Sequence, residues 1–257
     1  MPLLEAVGVT KSWGSRRAVQ ELSFRLESGQ ICGLWGANGA GKTTALLVLA
    51  GLVPPEQGRV CLDGASLHGG PATLRRRIGW LPETPAVYPE LSVEGNLRYF
   101  GQLFSLPQGS LKTRIEELLS AFQLRDRRAD RAAALSAGLK RRLSLAVSLL
   151  HDPEFLLLDE PTTNLDVGSR ERLEAMLRVL ARQGKAIVVA SHRLEEVGRL
   201  CDRVIVLREG RIAGSVVRGA GFEAGLPGAL EQLLEGLNDP ASPDVEAGSE
   251  ASQEGAE

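Results

Sequence analysis

Residues 36–43 read GANGAGKT, and no other feature constrains the chain as strongly. The octet follows the apolar run ICGLW and opens the helical pattern KTTALLVLAGL. It therefore matches the phosphate-loop spacing G-x-x-x-x-G-K-[ST] in the strand, turn and helix setting that its mechanism needs. Even with 29 glycines in 257 residues, a chain of this composition contains the pattern by chance only about 0.006 times. Gly36, Gly39 and Gly41 let the backbone approach phosphate and aim its N–H groups there, where a helix N-terminus adds a favourable dipole. Asn38 and Ala40 belong to the same candidate nucleotide-contacting loop. In this reading Lys42 neutralises the β and γ phosphates, the Thr43 hydroxyl ligates magnesium, and Thr44 donates to a phosphate oxygen. The alternative is a glycine-rich turn with a solvated lysine.

The pattern around the octet points to an α/β fold. LLEAVGV and AVQELSFRL read as strands before it, and RVCLDG as a strand after it. The helix after the octet should stop at Gly51, with Pro54 and Pro55 just beyond. From Ser92 to Leu150 almost nothing is strand-like: SVEGNLRYFGQLF, SLKTRIEELLSAF and GLKRRLSLAVSLL each carry an apolar stripe at helical spacing. Alternation then resumes with EFLLLDE, RERLEAMLRVLARQ, AIVVAS, RLEEVGRL and RVIVLREG, as in a parallel sheet covered by helices. A hairpin over Glu209 and Gly210 should lead into RIAGSVV. The expected organisation is one nucleotide-binding unit over residues 1–220, with a helical insert at about 90–150, a C-terminal helix over 221–237 and an acidic disordered tail over 238–257.

Charge and cysteine content exclude several classes. The net charge is −2, from 30 basic and 32 acidic residues, which offers no whole-chain field for nucleic acid. The tail alone holds six acids and no base, so the body is mildly basic. No run approaches the roughly eighteen apolar residues of a membrane helix, and the opening MPLLEAVGV has no leader pattern, so the chain is expected neither to span a membrane nor to be secreted. Cys32, Cys61 and Cys201 form no C-x-x-C pair and read as small core residues in a reducing compartment. The arginine runs at Arg75 to Arg77 and Arg125 to Arg131 read as solvated faces.

Three further residues, at the ends of two strands, complete a candidate active site. FLLLDE ends a buried strand in two acids, at the sheet edge where open α/β folds bind ligands. Asp159 should hold magnesium through water, and Glu160 should polarise the water that attacks the γ phosphate. His192, directly after AIVVAS, lies at the same edge and could reach the same phosphate. The alternatives are acids that cap the next turn and a structural histidine.

Taken in order, these motifs resemble the nucleotide-binding domain of the ABC ATPases, over nearly the whole chain except the acidic tail. The diagnostic segment is LSAGLKRRLSLA, Leu135 to Ala146, which is similar to the family's LSGGQ signature and more closely to the LSGGMKRRL form of exporter ATPases. The resemblance implies a P-loop core with a mostly parallel sheet, an N-terminal antiparallel β subdomain and an inserted helical subdomain. It implies that Trp13 in KSWG stacks on adenine, the alternative being a buried core tryptophan. It implies that Glu83, ending IGWLPE where glutamine is commoner, contacts magnesium and the attacking water. Ser136 and the backbone N–H of Gly138 would bind the γ phosphate, and Asp166 in TTNLD would link two nucleotide sites. Ala137 and Leu139 depart from the family pattern, and an added methyl at 137 bears on how closely the backbone approaches phosphate.

The resemblance further implies ATP and Mg2+ as ligands, ATP hydrolysis, and a head-to-tail dimer in which each nucleotide lies between one protomer's phosphate loop and the other's signature. The second nucleotide-binding subunit could be a copy of this chain or a different one. A separate integral membrane permease is the expected partner, docked near Glu83 with Tyr88 and Leu91 as exposed anchors, which places the chain in the cytoplasm, peripheral on the membrane's cytoplasmic face. No nucleic acid is expected. A soluble non-transport ABC ATPase and the binding-only half of a heterodimer remain alternatives.

Overall fold

Two sheets organise residues 2–218, the part of the chain that a computed structural model describes. The expected C-terminal helix and acidic tail lie outside the described residues. In the first sheet β1 (Leu3–Trp13) and β2 (Arg16–Glu27) form an antiparallel hairpin around Gly14, whose φ of 60° suits glycine. β1 also pairs antiparallel with β4 (Gln57–Leu62), which pairs with the short β5 (Ala65–Ser66), giving the order β2-β1-β4-β5. β1 runs past the expected LLEAVGV, so Trp13 sits at its end beside the hairpin turn.

The second sheet has the order β10-β9-β3-β8-β7-β6. Its strands are β3 (Ile31–Trp35), β6 (Ile78–Leu81), β7 (Phe155–Asp159), β8 (Ala186–Ser191), β9 (Arg203–Arg208) and β10 (Arg211–Val217). All neighbours pair in parallel except β10, which returns against β9 through the hairpin expected at Glu209 and Gly210. Every residue of β7 and β8 is buried, which is why FLLLD and AIVVAS lack polar alternation. Successive side chains still point to opposite faces. Leu156, Leu158, Ile187, Val189, Val204 and Val206 join one core, whereas Phe155, Leu157, Val188, Ala190, Ile205 and Leu207 join the other.

The second of these cores is filled by α1 (Lys42–Leu49) and the antiparallel sheet. The helix stops where the sequence indicates: Gly51 has φ 69° and its N–H reaches the Val48 carbonyl. The first core is filled by α5 (Ala137–Leu149), α6 (Val167–Arg182) and α7 (Leu194–Leu200), together with α3 (Val93–Leu103) and α4 (Gln108–Ala121). Ser92 caps α3 by accepting the Gly95 N–H at 2.9 Å. A one-turn helix α2 (Ala72–Arg75) lies where the sequence shows no helical periodicity.

The arginine runs are not simply solvated faces. Arg77 makes a two-pronged pair with Glu154 at 2.8 and 2.7 Å and reaches Asp63 at 2.6 Å, tying β6 to β7 and to the first sheet. Arg128 holds Glu94 of α3 and Glu116 of α4, each at 2.8 Å. A sequence run shows the charges but not these distant acids. The three cysteines are free and buried, as expected, and burial pushes the Cys32 thiol well above its usual range.

Candidate nucleotide site

Parallel pairing brings the carboxyl ends of β3, β7 and β8 to one edge, so the loops that begin at Gly36, Glu160 and His192 meet there. The loop after β3 has no room for side chains. A Cβ on Gly36 would lie 2.3 Å from the Leu207 carbonyl oxygen, and one on Gly41, at φ 106°, would lie 2.0 Å from that of Ala18. The glycines thus fit a backbone cradle, with Asn38 exposed on it and Ala40 buried beneath. Lys42 folds over the cradle: Nζ donates to the carbonyls of Gly36 at 2.7 Å and Ala37 at 3.2 Å, and lies 3.9 Å from Glu160 Oε1. Gly39 offers its carbonyl to Arg16 Nη2 at 2.7 Å.

Thr43 and Asp159, assigned to one metal ion by sequence, are in direct contact: Thr43 Oγ1 donates to Asp159 Oδ2 at 2.7 Å. Burial raises the Asp159 pKa, and the charges of Glu83 and Glu160 add to the rise against the Thr43 bond. A hydroxyl, a buried carboxylate and further carboxylates close by are hard oxygen donors that fit Mg2+, which keeps waters and substrate phosphates in its shell. Among the described residues no group of three or more His, Cys, Asp or Glu side chains forms a metal cage.

Glu160 is buried and holds a left-handed φ of 47°, a strained conformation for a non-glycine residue. Its Oε1 accepts the His192 N–H at 3.0 Å and lies 2.8 Å from His192 Nδ1. The imidazole is half-exposed, so it borders the Glu160 carboxylate while reaching toward solvent. Trp13 is 51% exposed, which rules out the buried-core alternative. Its indole N–H donates to Thr44 Oγ1 at 3.1 Å, so the candidate adenine platform is anchored to a candidate phosphate ligand. That leaves the Thr44 hydroxyl hydrogen for another acceptor.

The remaining expected positions stand apart. Ser136 is exposed and caps α5, its hydroxyl accepting the Leu139 N–H at 3.3 Å. A Cβ on Gly138 would lie 3.0 Å from the Asn164 carbonyl oxygen, so that close approach favours glycine. Ala137 is exposed and Leu139 packs against the first core, which accounts for an apolar residue at 139. Asp166 caps α6, accepting from Ser169 N at 2.9 Å and Ser169 Oγ at 2.6 Å. None of these bonds reaches the phosphate loop. Glu83 is exposed just beyond β6, near enough for its charge to act on Asp159. Tyr88 is exposed, as expected, but Leu91 is half-buried and is a weaker anchor than Tyr88.

Two residues that the sequence did not single out complete the geometry. Arg141 on α5 is 1% exposed and spends its guanidinium on backbone carbonyls at two strand ends: Pro82 and Glu83 (2.9 Å) after β6, and Asp159, Glu160 (2.6 Å) and Pro161 (3.3 Å) at the end of β7. Burial pulls its pKa down to about 10, so it stays charged at neutral pH. Trp35, the last residue of β3, donates its indole N–H to the His192 carbonyl at 3.1 Å, clamping the loops after β3 and β8 together.

Comparison with known proteins bears out the family resemblance and the fold. The family model for ABC transporters matches residues 19–163. Nod factor export ATP-binding protein I of Ralstonia nicotianae is 40% identical over 210 residues, 82% of this chain and 65% of the relative, so the chain spans slightly under two thirds of that protein. ABC transporter ATP-binding protein NatA of Bacillus subtilis is 39% identical over 206 residues, 79% of this chain and 82% of the relative. A solved structure of the ATP binding subunit of an ABC transporter superposes with a TM-score of 0.82 at 30% identity, covering 91% of this chain and 99% of that one.

Proposed function

The chain belongs to the ABC transporter family, and from that premise we propose that it is the ATP-binding and hydrolysing subunit of an export complex, working as a head-to-tail dimer on a separate membrane permease. The observation that carries this reading is an asymmetry within one chain: Lys42, Thr43, Asp159, Glu160 and His192 converge at one sheet edge, while the Ser136 side chain bonds only the start of its own helix and none of the phosphate-loop residues. Two copies placed head to tail complete two sites. Export is supported by the name of the Nod factor export relative, by Glu83 and by the KRRLSLA continuation of the signature. We assign residues 1–220 to the nucleotide-binding unit with its helical insert at about 90–150, on the cytoplasmic face of the membrane.

The proposed roles join the family resemblance to this geometry. Trp13 stacks on adenine. Lys42 exchanges its loop carbonyls for the β and γ phosphates, which the cradle N–H groups also bind. Thr43 and Asp159, with Glu83 nearby, would hold Mg2+, which would supply neutralisation of phosphate charge when bound. Glu160 accepts the proton of the attacking water, and His192 hydrogen-bonds the γ phosphate from beside it. Ser136 and the Gly138 N–H of the second copy close the far side, with Asp166 at the junction of the two sites. Among the described residues no helix is long and apolar enough to cross a membrane. The permease of this reading is a separate chain, docked beside the exposed Tyr88.

Affinity purification from detergent-solubilised membranes tests the transport reading. It should recover a polytopic membrane protein in a stable complex with this chain. Recovery of soluble partners alone would overturn it.

A further inference from the structure

The turn after β8 is gripped from three sides. Ser191 ends β8 in the buried core, where its hydroxyl accepts the Arg193 N–H at 3.1 Å and donates to Glu196 Oε2 of α7 at 2.8 Å. The His192 N–H donates to Glu160 Oε1 at 3.0 Å, and the His192 carbonyl accepts the Trp35 indole N–H at 3.1 Å. Helix α7 takes up the next carbonyl along, that of Arg193, to which the N–H groups of Glu196 and Val197 donate at 3.2 and 3.4 Å. The His192 carbonyl therefore lies just outside the helix, where the indole meets it. Both backbone groups of His192 are thus tied to side chains from two other strand ends, Glu160 just past β7 and Trp35 at the end of β3.

The sheet register suits Trp35 to this contact. Trp35 stands opposite Ser191 in the parallel pairing of β3 with β8, so its side chain has to reach only one residue further along the neighbouring chain. Its indole packs against the first core, as Leu194 of α7 also does, and carries a single donor. A leucine at 35 would fill the core and offer the carbonyl nothing. Trp35 is also the residue before Gly36, so the contact ties the root of the phosphate loop to the His192 turn.

We propose that Trp35 is a positioning residue: its indole N–H fixes the His192 carbonyl and, with the Glu160 bond to the His192 N–H, sets where the imidazole stands at the phosphate edge before nucleotide arrives. The inference deepens the reading of His192 as a contact of the γ phosphate and rests on it. The imidazole is 48% exposed, so close packing does not hold it and its place depends on the backbone beneath. With that backbone tied at both ends, only the side-chain torsions of His192 are left, and the 2.8 Å contact of Nδ1 with Glu160 restricts those. Loss of the indole donor frees the turn and lowers the fraction of molecules whose imidazole is in place. That is a loss of turnover and not of ATP capture, because the phosphate cradle and Lys42 are untouched.

A double-mutant cycle in the full chain tests the coupling. Trp35→Phe keeps an aromatic ring in the core and removes the donor. It should lower kcat about fivefold, the worth of one hydrogen bond, with the KM for ATP unchanged. In a His192→Ala background, itself expected to turn over at least about tenfold more slowly than the parent, the same substitution should cost nothing further, to within about twofold. A fivefold loss that persists there would mean that Trp35 acts by a route other than His192 and would overturn the proposal, as would equal kcat in the parent and Trp35→Phe. The contact is read apart from turnover by nuclear magnetic resonance of the indole N–H groups of the three tryptophans, Trp13, Trp35 and Trp80, in the nucleotide-free parent, with signals assigned from Trp13→Phe and Trp80→Phe. The Trp35 N–H should exchange with solvent at least about tenfold more slowly than free indole, and exchange at the free rate would overturn the clamp. That measurement needs no substitution at 35, so it decides the matter even if Trp35→Phe does not fold. A parent-like kcat in His192→Ala would instead overturn the reading of His192 itself, and the exchange rate keeps that failure distinct from a failure of the clamp.

Discussion

The phosphate-loop edge and the signature edge of this chain are built in opposite ways. At the first, buried polar side chains are matched to partners across long stretches of sequence or within their own loop: Asp159 with the exposed Thr43, Glu160 with the half-exposed His192, and Lys42 folded on its own loop. At the second, Ser136 is exposed and satisfies only the start of its own helix. The first is a preorganised charge site and the second a surface turned toward something else. Arg141 joins them. Because its guanidinium binds the strand-end carbonyls that carry Glu83 and Glu160, α5 and the catalytic edge should move as one body. A buried ion with its donors fully used tolerates little displacement.

The contrast can be broken at either edge. Lys42→Ala, which removes a 6% exposed ammonium from the cradle, should lower ATP affinity more than about 100-fold by calorimetry. An affinity close to the parent's would mean that the loop does not bind phosphate as described. Ser136→Ala should act on the other edge only. Turnover at saturating ATP should fall about tenfold while nucleotide affinity of the isolated subunit stays unchanged. A loss of affinity in the isolated subunit would erase the distinction between the two edges. The alanine also removes a helix cap worth about 1 kcal/mol, so thermal unfolding should report a small loss of stability alongside. Trp13→Ala sharpens the account at its periphery. Losing an exposed stacking face should weaken ATP binding by about 1 kcal/mol, or about fivefold, and titration with ATP measures it.

Legibility in the sequence followed the same divide between contiguous and distant chemistry. The phosphate loop is readable because its function needs glycines at fixed steps along one stretch, and Asp159 and Glu160 are readable because two acids ending a buried strand demand a ligand. The sheet was readable from the strand and helix alternation, although the extension of β1 to Trp13 and the one-turn α2 carry no periodic signal. Arg141, Trp35 and Glu196 were not readable. Arg141 looks like one more base on an amphipathic helix, and its partners are carbonyls 18 to 59 residues away. Trp35 looks like the end of an apolar strand, and its partner is His192. Glu196 looks like a surface acid in RLEEVGRL until the fold places Ser191 against it. A backbone carbonyl leaves no mark in a sequence, so residues that act by holding backbone were invisible until the fold was known.

The central claim is that one chain carries halves of two different nucleotide sites, each of which only a second copy completes. Light scattering of the Glu160→Gln variant, with and without ATP and Mg2+, tests it most directly, since that substitution should preserve binding while stopping turnover. The account predicts a shift from monomer to dimer that requires ATP. A variant that binds ATP and remains a monomer would contradict it.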